Sequence, residues 1–315
     1  MTTRGTMARA STSSLLSGVA LAVAATFIWS GNFVVARALR QDAGPVELDF
    51  WRWVVGLVVL LPFALRGIRA EWPAIRRHWG YLLITGVIGV SAFNTLIYLA
   101  GRYTQATNLS LLAVASPIFL ILLTCALERE RLTWRRGAGL VVGAVGVVIL
   151  ITGGTLHTLD RLSFHSGDLI MLVATALFAV YSAMARHKPV ELGDLTFLVT
   201  IITLGLVVLL PVYLAETATG RYDPVHGETV AAILYLGIGA SAVAYLAWNR
   251  SLGLIGTAKA GFVYYLLPVF TGVEAVILLR SRVSTTQVVS LVLIVGGIFL
   301  GSWSGGEAHR RAAPQ

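Results

Sequence analysis

The chain has 315 residues, of which 57% are hydrophobic and only 12% are charged, and its mean hydropathy is +0.80. So few charged side chains cannot cover a water-soluble surface, and the composition therefore excludes a soluble fold and predicts an integral membrane protein. The formal net charge of +9 does not indicate nucleic-acid binding, because the arginines separate apolar runs instead of forming one basic face.

Ten apolar runs, each of about 20 residues, are long enough to cross the hydrocarbon core of a bilayer. In chain order these predicted spans 1 to 10 cover residues 14–38, 45–65, 79–101, 106–127, 137–152, 167–186, 194–215, 229–249, 258–280 and 285–303. The links between them are short and rich in Arg, Gly, Asp and Pro. The pattern predicts an all-α integral membrane protein with ten transmembrane helices and no soluble domain.

The first run follows Arg4 and Arg9, so a cleaved signal peptide is an alternative interpretation of it. An internal repeat argues against that alternative. GVALAVAATFIWSGNFVVAR at 18–37 aligns with GDLIMLVATALFAVYSAMAR at 167–186, at a spacing of 149 residues. A copy in mid-chain cannot be a signal peptide, so span 1 is predicted to be a real transmembrane helix.

The repeat divides the chain into a tail at 1–13, a first five-helix repeat at 14–152, a linker at 153–166, a second five-helix repeat at 167–303 and a tail at 304–315. Five is an odd number of crossings, so the second repeat must enter the membrane upside down, as an inverted-topology repeat. With a cytoplasmic N-terminus, 16 of the 24 Lys and Arg residues fall in cytoplasmic segments, as the positive-inside rule requires. We therefore expect both termini in the cytoplasm.

Four short motifs accompany the duplication: FIWSGNFVVAR in span 1, DFWRWVVG in span 2, ASPIF in span 4 and LLPVF in span 9. With these motifs, residues 14–303 resemble the drug/metabolite transporter superfamily in its EamA branch. The aromatic residues are similar to those of the YddG-type amino-acid exporters. This resemblance implies a multi-pass exporter in the cell (inner) membrane. It would carry aromatic and other neutral amino acids and related small metabolites by alternating access, without a cofactor.

Prolines interrupt spans 4 and 9 near their middles. Pro117 and Pro268 align at a spacing of 151 residues, and interrupted helices mark the substrate site of inverted-repeat transporters. The alternative is that both prolines are kinks in packed transmembrane helices. The symmetric placement favours hinges in helices that move.

Aromatic and amide side chains at helical spacing predict a central cavity. Flat amphipathic rings can stack on the apolar side chain of an amino acid and attract its ammonium group. The predicted substrate-binding residues are Trp29, Asn32, Asn94, Tyr98, Tyr181, Tyr245, Trp248, Lys259 and Tyr264. For Tyr98 and Trp248, near span ends, the sequence favours an interfacial aromatic belt, and for Lys259 a positive-inside anchor.

Two charged residues lie inside predicted spans, where each costs at least about 2.5 kcal/mol on insertion scales unless it is paired or hydrated. Arg52 in span 2 and Glu274 in span 9 are expected at one depth on the extracytoplasmic side. We hypothesise an ion pair between them, either structural or acting as a latch in gating. The alternatives are an arginine that snorkels to the interface and a contact with substrate.

Small residues set spans 5 and 10 apart. Gly139 with Gly143, and Gly297 with Gly301, are spaced for close helix approach. They predict either a scaffold or a homodimer formed through these two helices. Membrane lipid is the other expected partner.

Other classes of protein remain as alternatives. A nucleotide-sugar or other metabolite or drug carrier of the same superfamily is one, but phosphate would need several converging cations, and only Arg52 and Lys259 are candidates. An intramembrane enzyme built on Ser241 would need a base, yet all six histidines fall in loops, tails or span edges. Cys125, the single cysteine, excludes a metal site of several cysteines. We therefore expect no catalytic residue, metal or cofactor.

Reporter fusions test the predicted orientation. A reporter fused after residue 71 should be cytoplasmic and one fused after residue 160 should be exterior, because these positions follow spans 2 and 5. The opposite pair of signals would contradict this orientation.

Overall fold

The computed structural model describes residues 12–39, 43–103, 109, 112–113, 115–127, 132–152, 166–219, 227–279 and 285–302. Within these residues the regular structure is entirely helical. In chain order the helices are α1 (Thr12–Ala38), α2 (Pro45–Ala70), α3 (Trp72–Arg77), α4 (Trp79–Tyr103), α5 (Ala115–Leu127), α6 (Trp134–Thr152), α7 (Ser166–Arg186), α8 (Asp194–Thr217), α9 (Gly227–Leu234, Tyr235–Val243 and Ala244–Ile255 in succession), α10 (Thr257–Tyr264), α11 (Leu267–Leu279) and α12 (Thr285–Ser302).

Six of these helices are long and apolar enough to cross a membrane: α1, α2, α4, α7, α8 and α9. Shorter apolar stretches form α5 and the 288–301 part of α12. The chain is therefore a helical membrane protein, as its apolar runs predict. Residues 1–11 and 304–315 of the expected tails and residues 153–165 of the expected linker lie outside the described residues.

Helices α2 and α8 pack side by side in opposite directions, because each ends where the other begins. Glu71, directly after α2, accepts a hydrogen bond at 2.9 Å from the backbone N–H of Gly193, the N-cap of α8. Glu216, near the end of α8, accepts from the N–H groups of Val46 and Glu47 in the first turn of α2. A carboxylate stabilises a helix N-terminus because it meets unpaired N–H groups and the positive end of the dipole. Two helices at equivalent positions of the repeat are thus antiparallel and cap each other.

Two π-helical segments, Val87–Ala92 in α4 and Tyr235–Val243 in α9, contain equivalent positions of the repeat. Glycines next to or within them allow close backbone approach to a neighbouring helix. A Cβ atom on Gly86 would lie 2.5 Å from a carbonyl oxygen of α8, and one on Gly237 would lie 2.9 Å from a carbonyl oxygen of α2. The first half therefore contacts α8 in the same manner as the second half contacts α2.

Predicted span 9 is two helices rather than one. Helix α10 ends at Tyr264, Tyr265 and Leu266 form a turn, and Pro268 is the second residue of α11. Pro117 likewise lies in the first turn of α5. A proline in the first turn lacks an N–H that would have no intrahelical partner anyway, whereas mid-helix it breaks a hydrogen bond. The structure thus places both prolines in the first turns of helices rather than at kinks in the middles of continuous ones.

Helices α6 and α12, which correspond to predicted spans 5 and 10, pack against each other through their glycines. A Cβ atom on Gly139 would lie 2.6 Å from the backbone nitrogen of Gly301, and one on Gly297 would lie 2.6 Å from that of Gly143. The close approach that these glycines permit is therefore used within one chain. This arrangement fits the scaffold interpretation, and a homodimer through these helices would have to use their other faces.

Several of the remaining contacts join a helix of one half to a helix of the other half. Helix α1 packs against α9, and its counterpart α7 packs against α4. Helix α5 packs on α7, while its counterpart, the pair α10 and α11, packs on α1. The buried centre of the molecule consequently lies between the halves.

Two matched pairs of glycine substitutions test this packing. Gly86→Ala and Gly237→Ala are expected to lower the stability by about 1–3 kcal/mol, because each new methyl group overlaps a neighbouring helix. Gly80→Ala and Gly253→Ala lie in the same two helices, where a Cβ atom meets nothing within 4 Å. These controls should keep or raise the melting temperature in detergent, since alanine favours a helix over glycine by about 1 kcal/mol. Equal melting temperatures for all four variants would contradict the close approach.

Candidate functional site

A cluster of aromatic side chains surrounds Trp29 at the centre of the molecule. Four rings lie at centroid distances of 5.3 to 6.2 Å from it: Phe178 of α7, Tyr245 and Trp248 of α9, and Tyr264 of α10. Trp29 and Phe178 occupy equivalent positions at the repeat spacing, and their ring centroids are 5.6 Å apart. Equivalent residues of two copies touch only where the copies face each other. The aromatic cluster therefore marks the interface between the halves.

A small cavity lies against this cluster. It is lined by Trp29, Asn32, Phe93, Asn94, Ile97, Phe178 and Tyr264. The centre of a water molecule can occupy about 10 Å³ of it, which is room for one water and far less than a pocket for a small-molecule ligand. The region is thus closed in this structure, and the surrounding helices must separate before a larger ligand can enter.

The guanidinium of Arg52 lies one hydrogen bond from this cavity and is fully buried. Its Nε donates to Ser241 Oγ at 2.7 Å. Its Nη1 donates to Asn94 Oδ1 at 2.9 Å and to Tyr98 OH at 2.8 Å, with Asn32 Oδ1 at 3.4 Å. All four acceptors are neutral, and they join α1, α2, α4 and α9 around one positive charge.

The acceptors of Arg52 are themselves hydrogen-bonded. Tyr98 OH donates to Asn32 Oδ1 at 2.9 Å. Asn94 Nδ2 donates to Tyr245 OH at 3.0 Å, and that hydroxyl donates to the carbonyl oxygen of Gly89 at 3.1 Å. The network holds the two cavity-lining amides in one orientation and connects them to a π segment.

Carbonyl groups of both π segments accept hydrogen bonds from tryptophans. Trp29 Nε1 donates to the carbonyl oxygen of Ala240 at 2.9 Å, and Trp53 Nε1 donates to that of Val90 at 3.1 Å. A π segment departs from the ordinary i→i−4 pattern, and a carbonyl left unpaired in apolar surroundings is costly. The two indole N–H groups donate to carbonyls at equivalent positions of α9 and α4.

Asp49, one turn before Arg52 in α2, is a buried charge that the sequence reasoning missed. Its side chain is fully buried, and its Oδ2 accepts from Thr95 Oγ1 at 2.8 Å. Asp49 Oδ1 and Arg52 Nη2 have no hydrogen-bond partner within the described residues. The motif DFWR could have revealed the pair, because residues three apart share a helix face.

Tyr98 and Trp248 do not belong to an interfacial belt. Their exposed fractions are 2% and 0%, and Trp248 Nε1 donates to Ser182 Oγ at 3.1 Å. Their helices continue past the predicted ends of spans 3 and 8, to Tyr103 and Ile255 respectively. Both aromatic side chains therefore lie deeper than the sequence indicated.

Tyr181 and Lys259 lie apart from the cavity lining. Tyr181 is fully buried, donates to Asn249 Oδ1 at 2.7 Å and packs on Gly89. Lys259 is half-buried in the first turn of α10. That helix follows Gly256, the single residue that links it to α9, and the φ of 81° at Gly256 suits glycine. The predicted residues that do line the cavity are Trp29, Asn32, Asn94 and Tyr264.

The expected ion pair between Arg52 and Glu274 is not formed, although both residues belong to the described part of the chain. Glu274 of α11 instead accepts from Ser30 Oγ of α1 at 2.5 Å. Equal depth does not imply contact, because α11 packs against α1 whereas α2 packs against α4, α8 and α9. The pair was predicted from depth alone and is wrong for this conformation.

Ser241, the serine considered as a nucleophile, accepts its hydrogen bond from Arg52. A guanidinium only donates and cannot remove a proton from a serine. The two histidines in the described segments, His78 and His187, follow the ends of α3 and α7. Neither contacts the serine in the described hydrogen bonds.

A closed aromatic and polar site between two related halves of a helical membrane protein is typical of a transporter. Residues 16–152 and 165–303 each match the EamA-like transporter family, and the chain therefore belongs to that family. The chain is 28% identical to an uncharacterised transporter of Archaeoglobus fulgidus, over 87% of this chain and 93% of the relative. It is 25% identical to a protein of Streptantibioticus cattleyicolor named "Probable terminal-alkyne amino-acid exporter", over 86% of this chain and 89% of the relative.

A solved structure described as the crystal structure of a protein has the same fold. It matches with a TM-score of 0.72 at 20% sequence identity, over 95% of this chain and 99% of that chain. The family and the relatives indicate a transporter rather than an enzyme.

A conservative substitution tests the bond between Trp29 and the π segment of α9. Trp29→Phe keeps a ring in the cluster but removes the donor to the carbonyl of Ala240, so it is expected to cost about 1 kcal/mol. Trp79→Phe is the control, because that indole is 62% exposed. Melting temperatures in detergent should fall for the first variant only, and equal values would show that the bond is unimportant.

Proposed function

We propose that the protein is an inner-membrane exporter of amino acids, chiefly aromatic and other neutral ones, and of related small metabolites. The observation that carries this proposal is the composition of the closed cavity. Rings of Trp29, Phe178 and Tyr264 form one part of its wall, and the amides of Asn32 and Asn94 form another. Aromatic rings suit an apolar side chain, while amides suit the polar groups that every amino acid carries.

The relative from Streptantibioticus cattleyicolor supports the same substrate class, since its name describes an amino-acid exporter. A nucleotide-sugar carrier is less well supported. The seven described residues that line the cavity include no cation, whereas a phosphate group is usually held by several. Arg52 reaches two of those lining residues, Asn32 and Asn94, through its hydrogen bonds.

We propose further that the chain forms ten transmembrane helices as a five-plus-five inverted repeat, with both termini in the cytoplasm. The antiparallel pair α2 and α8 supports opposite orientations of the halves. The exchanged contacts of α4 with α8 and of α9 with α2 support it as well. In such a repeat, one half can tilt against the other around a central site, and this motion is alternating access.

The break between α10 and α11 supports a hinge at Pro268. It separates α10, which carries Tyr264 of the cavity wall, from α11, which carries Glu274 bonded to α1. Two helices joined by a turn can change their relative tilt without breaking helical hydrogen bonds. Pro117 at the start of α5 is proposed as the equivalent hinge.

Counterflow in proteoliposomes tests the proposal. Labelled phenylalanine, other neutral amino acids, sugars and nucleotide sugars are offered in parallel to the purified protein. Exchange of amino acids and not of nucleotide sugars is expected, and the reverse result would replace the proposed substrate class.

Substitutions locate the same activity. Trp29→Ala, Asn94→Ala and Tyr264→Ala should each lower phenylalanine exchange about tenfold or more, because each removes a wall of the cavity. Trp79→Ala, on the exposed surface, is the matched control. Normal exchange by all three cavity variants would show that the substrate binds elsewhere.

A further inference from the structure

We infer that Arg52 and Asp49 recognise the charged backbone groups of the substrate, with Arg52 binding its carboxylate and Asp49 its ammonium group. The inference rests on the proposed function and names the groups that hold an amino acid there. Its basis is two unpartnered, fully buried atoms of opposite charge on one face of α2.

Arg52 has donors left for a ligand. An arginine carries five N–H groups, and here those on Nε and Nη1 meet Ser241, Asn94 and Tyr98. Those on Nη2 meet no acceptor within the described residues. Burying charged donors without acceptors is costly. Nη2 is the nitrogen that completes a two-bond edge with either Nε or Nη1, the geometry in which guanidinium binds a carboxylate.

The route to Arg52 from the cavity is short. Asn32 and Asn94 line the cavity, and the side-chain oxygens of both approach Nη1. A ligand in an opened cavity is therefore separated from the guanidinium by two neutral amides. A carboxylate is a stronger acceptor than an amide for a charged donor, so it can take their place.

Asp49 supplies the opposite charge beside it. Its Oδ2 is held by Thr95, the residue that follows Asn94 in α4, while its Oδ1 has no partner in the described chain. No ion pair or hydrogen bond joins Asp49 to Arg52 among the described contacts, so each keeps an unused atom.

A zwitterion fits this arrangement better than a singly charged ligand. Its two charged groups can bind both unused atoms and add no net charge to an apolar interior. A phosphate would leave the acid unmatched, and an amine would leave the arginine unmatched. The side chain of such a ligand would then extend toward Trp29 and Tyr264.

Three ligands with one side chain test the inference in proteoliposomes. Phenylalanine carries both charged groups, phenethylamine lacks the carboxylate, and 3-phenylpropionate lacks the ammonium group. Each is measured as an inhibitor of phenylalanine counterflow. The wild-type protein should prefer phenylalanine to either analogue by about tenfold or more, the effect of one charge-assisted hydrogen-bonded group. Phenylalanine exchange without such a preference would overturn this inference and leave the proposed function standing.

Variants assign each preference to a residue. Arg52→Gln should lose the preference over phenethylamine, and Asp49→Asn should lose the preference over 3-phenylpropionate, each with little change for the analogue itself. Arg52→Lys keeps the charge but not the two-bond edge, so it should keep part of the preference that Arg52→Gln loses. It also tests the inference if Arg52→Gln does not fold. Arg250→Gln and Asp194→Asn are matched controls, because these residues form an ion pair with a 3.2 Å N–O distance away from the cavity.

Three results would contradict the assignment. Equal loss for all three ligands in Arg52→Gln would mean that the arginine is structural. Loss of preference in the control variants would mean that the effect is not local. A preference over 3-phenylpropionate that is lost in Glu274→Gln and kept in Asp49→Asn would place the ammonium site at Glu274.

Discussion

A guanidinium buried between membrane-spanning helices is the constraint on which the centre of this protein depends. Arginine stays charged in a protein, and a charge in the apolar interior is costly unless polar groups surround it. Arg52 meets this requirement with neutral oxygens from α1, α4 and α9. Because the acceptors belong to both halves, the charge holds the halves in one relative position, and any tilt between them must exchange some of these bonds.

The π segments follow from the same need to place helices closely. Gly86 and Gly237 bring α4 onto α8 and α9 onto α2 at backbone contact distance. The altered hydrogen-bond pattern directs carbonyl groups toward the side-chain donors Trp29 and Trp53. The halves therefore meet largely through backbone and aromatic rings, which have few alternative conformations. A displacement of one half is passed to the other without being absorbed by flexible side chains.

The antiparallel pair α2 and α8 connects this centre to both ends of the molecule. Glu71 and Glu216 each close the N-terminus of the opposite helix. Helix α2 also carries Asp49 and Arg52. Separating α2 from α8 at either end would break a glutamate cap and leave helix N–H groups without an acceptor.

The sequence by itself determined the apolar membrane class and the duplication, because composition and repeat spacing are properties of the sequence alone. It also identified four residues that line the cavity, since aromatic and amide side chains deep in apolar runs are rare enough to notice.

Only the tertiary structure decided which side chains meet. It placed Tyr98, Trp248 and Asp49 in the buried interior. It also paired Glu274 with Ser30 through a hydrogen bond. These contacts depend on the rotation and lateral position of each helix. A π segment adds a residue to a turn and rotates every face beyond it, so counting along a straight helix cannot recover them.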